Sequence, residues 1–200
     1  KSLMPALHLP VQSGSNAILE AMNRHYTRER YLDLVSRLRS VQPDIALSTD
    51  IIVGFPGESE QDFEDTYRLV DAVGYHQVFT FIYSKREGTP AAKLADDTPH
   101  AVVQERFDRL VSLVQEHAFE ANQLERGRTV DVLVEGASKR DETMITGKSP
   151  KNQTVHARIP RNCDLSALTG QIVRVNIEEA RTWYLTGTML EGKDGAYAAR

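Results

Sequence analysis

Three loops with polar side chains each follow a predicted apolar strand, and together they could bind a polar cofactor. The first loop covers residues 12–16, the second residues 54–58 and the third residues 83–90. Glycines in these loops let a ligand approach the backbone, and the helix after the second loop favours anionic groups at its N-terminus. Because the carboxyl ends of parallel strands meet at one edge of a sheet, the three loops predict one shared site.

Single residues in these loops suggest particular contacts, although each also has a purely structural explanation. Gln12 still belongs to the first strand and is the better ligand candidate there, whereas capping of the next helix explains Ser15. The turn at residues 54–58 is equally explained as an ordinary Pro–Gly bend between a strand and a helix. Arg86, close to the aromatic Tyr83, suits a carboxylate, a phosphate or a stacked base, or else belongs to a solvated loop.

Asp50 stands within an apolar strand, where an unpaired carboxylate is costly. It therefore requires a hydrogen-bonding partner or a cavity, and both a ligand-binding and a structural role stay open. A metal site is not predicted, because the six histidines show no ligand spacing and the single cysteine cannot form an all-cysteine site.

The elements that would position these loops alternate between strand and helix, which predicts a parallel α/β domain. Strands are predicted at residues 7–12, 45–53 and 78–83. Thr27 and Ser59 are placed to cap helices, and apolar spacing puts Val41 on the buried face of the first of these helices. Three βα units cannot close a barrel, so we expect this part to belong to a larger βα array.

The pattern changes after Gly127, where five short strands of alternating character predict a small all-β barrel. Their predicted bounds are residues 129–135, 143–147, 154–159, 172–177 and 183–190. The charge changes at the same place, since residues 1–125 carry a net charge of −7 and residues 126–191 one of +2. We therefore predict an α/β domain at residues 1–125, an all-β domain at residues 126–191 and a disordered tail at residues 192–200.

Composition narrows the class of protein. No apolar stretch is long enough to span a membrane, and one cysteine excludes a disulfide framework and favours a cytoplasmic location. The net charge of −4 argues against a uniformly basic nucleic-acid binder. Basic and polar residues of the all-β part could still form an RNA-binding face, or a normal solvated surface. They include Lys139, Arg140, Lys148, Asn152 and His156.

Three segments resemble the tRNA methylthiotransferases of the radical SAM superfamily. They are residues 8–16 (HLPVQSGSN), 48–58 (STDIIVGFPGE) and 83–92 (YSKREGTPAA). The all-β part resembles the TRAM module that ends these enzymes, through residues 132–136 (VLVEG), Gly147-Lys148, Asn152 and Val155-His156. The resemblance implies an α/β fold class, with a partial radical SAM βα barrel of about three βα units followed by a small all-β TRAM barrel.

The resemblance also implies cofactors and a mechanism. A four-iron cluster would bind S-adenosylmethionine and split it reductively, and the radical would abstract hydrogen from an adenine carbon. Sulfur from a second [4Fe-4S] cluster would be inserted there, a second S-adenosylmethionine would supply the methyl group, and an electron donor would reduce the enzyme. The resemblance assigns S-adenosylmethionine contacts to Gln12, Ser13, Ser15, Asp50, Gly54, Phe55, Pro56, Gly57, Glu58 and Tyr83.

The resemblance assigns the TRAM module to the tRNA anticodon stem-loop, with substrate or RNA contacts at Arg86, Lys139, Arg140, Lys148, Asn152 and His156. It favours methylthiolation of an isopentenyl-adenosine beside the anticodon. Alternatives are threonylcarbamoyl-adenosine in tRNA, a ribosomal protein, or a cluster-free RNA-binding protein. Because the cysteines of both clusters are absent, the chain alone is predicted to be inactive and to be the C-terminal part of a longer enzyme.

Overall fold

The structure is a computed structural model that describes residues 4–95, 98–138, 141, 143–160, 163 and 165–190. The predicted RNA contacts Lys139 and Arg140 lie outside the described residues, as does the predicted tail at residues 192–200. Within the described part of the chain, no helix combines the length and apolar character needed to cross a membrane.

The chain divides into two compact units. One, here called the α/β unit, is formed by the described residues from 7 to 117, and the other, called the barrel unit, by the described residues from 118 onward with residues 4–6. The division falls inside the longest helix of the chain. The domain boundary predicted after residue 125 stays a prediction.

Parallel strands and the helices between them build the α/β unit. Its elements are β1 (Ala6–His8), α1 (Asn16–Ala21), α2 (Arg28–Val41), β2 (Ala46–Val53), α3 (Glu60–Val73), β3 (Gln77–Ile82), a 3₁₀ helix (Pro90–Lys93) and the part of α4 (His100–Gln123) up to His117. The strands lie in the order β1-β2-β3, and β2 pairs with β3 in parallel from Ser48 opposite Gln77 to Val53 opposite Ile82. All three loops singled out in the sequence therefore follow strands of one sheet.

Local signals fix where two of the helices begin. The hydroxyl of Thr27 accepts from the backbone N–H of Arg30 at 3.3 Å and caps α2. Ser59 and Asp62 form a reciprocal capping box at the start of α3, because the side chain of each accepts from the backbone N–H of the other. Both predicted N-caps are confirmed.

The two faces of the sheet differ. Side chains such as Leu47, Ile51 and Val53 are buried against the helices, and each contributes about 1.5–3 kcal/mol of hydrophobic stabilisation. The opposite face carries Asp50 and, across from it on β3, Phe79, which is 42% exposed. The three loops begin where the strands end, at the edge of this second face.

A closed five-stranded barrel forms the other unit, which confirms the predicted fold class. Its elements are β4 (Thr129–Ala137), β5 (Met144–Lys148), β6 (Thr154–Arg158), α5 (Leu165–Leu168), β7 (Ile172–Ala180) and β8 (Tyr184–Met189). The strand order is β4-β5-β6-β8-β7, closed by pairing of β7 with β4. Val132, Ile145, Val155 and Leu185 are among the side chains that fill the interior.

Gly187 allows two strands of this barrel to approach closely. A Cβ atom at this position would lie 2.0 Å from the carbonyl oxygen of Asn176 on the neighbouring strand β7. That distance is far below van der Waals contact, and a backbone atom cannot swing away. A glycine is therefore required at this point of β8.

Candidate functional site

A cavity of about 510 Å³ lies where the segment after β1 and the ends of β2 and β3 come together. The residues that line it are Gln12, Arg24, Asp50, Ile52, Phe81, Ile82, Tyr83, Ser84, Arg86, Thr89 and Ala91. Its volume falls in the range typical of small-molecule sites. Four residues that the sequence singled out, namely Gln12, Asp50, Tyr83 and Arg86, thus lie at one cavity.

Gln12 extends the sheet beyond β1 through a single bridge to Ile51. Its backbone N–H donates to the carbonyl of Asp50 at 2.9 Å, and its carbonyl accepts from the N–H of Ile52 at 3.0 Å. Its φ of 75° is left-handed, which costs a non-glycine residue about 1–3 kcal/mol, and these hydrogen bonds hold it there. Among the described residues the side-chain amide has no hydrogen-bond partner, so it is available to a ligand.

Asp50 has both a partner and a cavity, and either one would meet the requirement set by its place in an apolar strand. Its Oδ2 lies 3.5 Å from Nε2 of His8, and its side chain is 30% exposed at the cavity. The imidazole of His8 is itself held by Ser48, whose Oγ lies 3.0 Å from Nδ1. The carboxylate is therefore oriented by a neighbour and still reachable from the cavity.

Tyr83 contributes an aromatic side chain to the cavity wall. Its ring meets the ring of Phe55 edge to face, with 5.2 Å between the ring centroids. Its hydroxyl oxygen is buried without a hydrogen-bond partner among the described residues, which costs about 1–3 kcal/mol.

Arg24 and Arg86 add two guanidinium groups to the lining. Arg24 is not among the site residues predicted from the sequence. It follows α1 and comes directly after Asn23, whose φ of 58° is left-handed. Because asparagine tolerates this conformation, Asn23 is a local signal of a tight turn before Arg24. Together with Asp50, the two cations make the lining suited to a ligand that carries both signs of charge.

The loop at residues 54–58 lies behind the cavity wall, and Glu58 faces the protein interior. Its Oε2 accepts from the N–H of Gly54 at 2.9 Å and from Nη1 of Arg106 at 3.2 Å, and Arg106 also donates to the Glu58 carbonyl at 3.0 Å. Burial raises the pKa of Glu58, although the Gly54 N–H and the Arg106 guanidinium act in the opposite direction. The carboxyl group fixes the loop rather than a ligand.

The other residues of this loop have separate places. Phe55 is buried and reaches Tyr83, Pro56 is buried, and Gly57 is exposed. Gly54 has a φ of 73°, and a Cβ there would lie 2.5 Å from Cγ1 of Val103. Phe55 is therefore the residue of this loop that touches the cavity lining.

Ser13 and Ser15 hold the first loop against α3 and do not line the cavity. The hydroxyl of Ser13 lies 3.1 Å from Oγ1 of Thr66, and it accepts from the N–H of Ser15 at 3.1 Å. The hydroxyl of Ser15 caps α1 and donates to Asp62 on α3. Their hydrogen bonds explain both serines without a ligand, so of the residues predicted in this loop only Gln12 lies at the cavity.

The barrel presents Lys148 and His156 on the outer face of two neighbouring strands. Nζ of Lys148 donates to the hydroxyl of Thr154 at 3.0 Å, and Nδ1 of His156 lies 2.9 Å from Oγ1 of Thr146. Asn152 is exposed in the turn between β5 and β6, with a left-handed φ of 63°. These three predicted RNA contacts are accessible on one part of the barrel surface.

Comparison with known proteins agrees with both units. Residues 1–70 match the model of the radical SAM superfamily, and residues 123–190 match the model of the TRAM domain. The tRNA-2-methylthio-N(6)-dimethylallyladenosine synthase of Oceanobacillus iheyensis is 47% identical over 190 residues, which are 95% of this chain and 36% of that protein. Over nearly its whole length, this chain is similar to tRNA methylthiotransferases of the radical SAM superfamily. The synthase of the same name from Geobacillus thermodenitrificans is 48% identical over 188 residues, 94% of this chain and 35% of that protein.

The match to the methylthiotransferases is partial in length, since this chain spans 36% of the Oceanobacillus relative. Among solved structures, this chain is similar to coproporphyrinogen III oxidase of Escherichia coli, a radical SAM enzyme. The match covers 87% of this chain and 41% of the oxidase chain. The sequence identity there is 12% and the TM-score 0.49, and a likeness at that level does not establish a shared fold. The family resemblance read from the sequence is confirmed by the closer relatives.

Radical SAM chemistry uses an iron–sulfur cluster, and the residues present do not fit one. Among the described residues, no group of three or more His, Cys, Asp or Glu side chains could hold a metal ion. The whole sequence contains a single cysteine, Cys163, in the barrel unit. A cluster requires several thiolates, which these 200 residues do not supply.

Proposed function

We propose that this chain is part of an enzyme that methylthiolates an isopentenyl-adenosine beside the anticodon of tRNA, and that its cavity binds S-adenosylmethionine. The observation that carries the proposal is the meeting of Gln12, Asp50, Tyr83 and Arg86 at one cavity at the strand ends. The names of the two relatives support this choice of nucleoside, because each is called a tRNA-2-methylthio-N(6)-dimethylallyladenosine synthase.

The chemistry of the lining matches the groups of S-adenosylmethionine. The guanidinium groups of Arg24 and Arg86 would bind its carboxylate, and Asp50 would accept from its ammonium group or its ribose hydroxyls. The side-chain amide of Gln12, which has no partner in the described protein, would complete its hydrogen bonds. When bound, S-adenosylmethionine supplies the methyl group and the radical chemistry of the superfamily.

The remaining cofactors and partners follow from the family. We propose two [4Fe-4S] clusters held by cysteines that these residues do not contain, and an electron donor that reduces them. The barrel would bind the anticodon stem-loop through Lys148, Asn152 and His156, with Lys139 and Arg140 as further contacts. A cytoplasmic location, where such a substrate is available, stays a prediction.

Binding of S-adenosylmethionine to this chain, measured by equilibrium dialysis, tests the cavity. Asp50→Asn is expected to weaken binding about tenfold, because a hydrogen bond to a charged group contributes about 1.5–3 kcal/mol. Asp33→Asn is the matched control, since Asp33 is exposed on α2 and does not line the cavity. Equal affinity of the wild-type chain and Asp50→Asn, or no binding at all, would contradict the assignment.

Binding of RNA tests the second part of the proposal. We expect the chain to bind an anticodon stem-loop with an affinity that falls as salt rises, because phosphate contacts release counterions. An isopentenyl-adenosine in the loop should increase affinity over threonylcarbamoyl-adenosine at the same position. The reverse preference would move the substrate to the alternative nucleoside, and the absence of RNA binding at low salt would contradict a role of the barrel in tRNA capture.

A further inference from the structure

A second cavity, of about 690 Å³, lies on the outer surface of the barrel. Three strands supply part of its lining. Thr146 on β5 lies opposite His156 on β6, and His156 lies opposite Thr186 on β8. All the described residues of the lining belong to the barrel unit.

An exposed aromatic ring stands in this cavity. Tyr184, at the start of β8, is 39% exposed, and the imidazole of His156 meets its ring edge to face at 5.4 Å between centroids. The contact of His156 with Thr146, at 2.9 Å, orients the imidazole that supports the tyrosine. Within the described part of the chain, the hydroxyls of Tyr184 and Thr186 have no hydrogen-bond partner. The cavity thus offers an aromatic surface together with unused hydroxyl groups.

The charged side chains among the described lining of this cavity are carboxylates, which do not attract a phosphate group. Its described lining includes the carboxylates of Glu135 and Asp141 and contains no Lys or Arg, while residues 139, 140 and 142 lie outside the described chain. A carboxylate repels a phosphate and accepts from an N–H group. Lys148 lies on β5 but does not line the cavity. Nζ of Lys151 donates a hydrogen bond to the buried Glu125 at 2.7 Å.

We infer that this cavity binds an unpaired nucleobase of RNA, which stacks on Tyr184 and donates N–H groups to the carboxylates at the rim. The inference rests on the proposed function of the barrel in tRNA binding. Unpaired bases are recognised by stacking on aromatic side chains and by hydrogen bonds to their edges, and this lining provides both. The half-buried Lys148, which does not line the cavity, would contact the phosphate backbone.

Two RNA probes separate base binding from backbone binding. One is an anticodon stem-loop RNA, and the other is the same stem closed by a polyethylene glycol linker, which keeps the stem phosphates and removes the unpaired bases. The chain is expected to bind the stem-loop more tightly than the linker-closed stem. Tyr184→Leu should weaken stem-loop binding roughly tenfold, within the range for loss of one base–aromatic stack, and should leave linker-closed binding unchanged.

Conservative and distant variants control for folding. Tyr184→Phe retains the ring and should retain most of the affinity, whereas Phe119→Leu removes an equally exposed aromatic side chain on α4, away from the cavity, and should have no effect. The slope of affinity against salt should stay the same in Tyr184→Leu, because no phosphate contact is lost, and should decrease by about one in Lys148→Ala.

Each outcome decides between the explanations. If Tyr184→Leu binds the stem-loop like the wild type while Lys148→Ala binds less tightly, the barrel binds RNA by its backbone and the base site is wrong. Equal affinity of the wild type for the stem-loop and for the linker-closed stem would also show that the base site is wrong. If neither probe binds at low salt, the proposed tRNA function itself fails, and the inference fails with it.

Discussion

Replacement of Arg106 by methionine is expected to destabilise the α/β unit strongly, because it leaves the carboxyl group of Glu58 buried without its charged partner. The side chains of Arg106 and Glu58 are only 5% and 1% exposed. Removal of one member of a buried ion pair typically costs about 3–5 kcal/mol, whereas an exposed pair contributes about 1 kcal/mol or less. Methionine keeps the apolar stem of the side chain, so the loss reports mainly on the charge.

The size of this loss should depend on pH. Burial raises the pKa of Glu58 above the ordinary value of 4.5, and removal of the guanidinium, which lowers it, raises the pKa further. A carboxyl group whose pKa is raised in the folded state stabilises the fold when protonated, and this contribution is lost as the pH rises through the folded-state pKa. The free-energy difference between Arg106→Met and the wild type is therefore largest at neutral pH and shrinks toward pH 4.5.

Urea unfolding followed by circular dichroism measures the loss, because the long helices α2 and α3 lie in the α/β unit. At a slope of about 2 kcal/mol per molar urea, the midpoint should fall by about 2 M. Fluorescence of Trp183, the single tryptophan, reports on the barrel unit in the same sample.

Two further variants separate charge from packing. Arg109→Met removes an arginine of α4 that is 37% exposed and pairs with Glu60 and Glu64 of α3, and it should cost less than Arg106→Met, because an exposed pair contributes about 1 kcal/mol or less. The double variant Glu58→Gln with Arg106→Met should regain most of the lost stability, since no unpaired charge remains. A midpoint unchanged in Arg106→Met, or a double variant as unstable as the single one at every pH, would refute the reasoning.

Three other substitutions test the fold around the sites. Gly54→Ala should cost about 1–3 kcal/mol of backbone strain plus the clash with Val103, so in urea unfolding it should lose more than Gly57→Ala, which has a similar φ but open space. Gly187→Ala should prevent closure of the barrel, visible as loss of protease resistance in the barrel unit. Ser59→Ala removes the cap of α3 and should lower the free energy of unfolding by about 1 kcal/mol, with Ser36→Ala on α2 as an exposed control.

Elements of the fold could be predicted where the signal is local. Thr27 and Ser59 cap helices through hydrogen bonds to residues three positions later, so the sequence alone contains both partners. The prediction that Val41 is buried is wrong, since its side chain is 86% exposed. Apolar spacing defines a face of α2, but it does not show how far along the helix the packing surface extends, and Val41 is the last residue of α2.

The candidate site likewise contains residues that could be predicted from the sequence and residues that could not. Gln12, Asp50 and Tyr83 could be placed together because the ends of parallel strands share an edge. Ser13 contacts Thr66 on α3, and Arg106 contacts Glu58 from α4, which are separations of 53 and 48 residues. No spacing rule connects partners so far apart, and only the packing of the helices on the sheet brings them together.

The order of strands in the barrel has a consequence for how the chain is made. Strand β8 is inserted between β6 and β7 and pairs with β6 in parallel, although β7 precedes it in the sequence. While a ribosome still holds residues 184–189, β6 and β7 each present an unpaired edge with free N–H and C=O groups. We therefore expect the nascent barrel to stay open until its last strand emerges, and chaperones that recognise exposed strands to act in that interval.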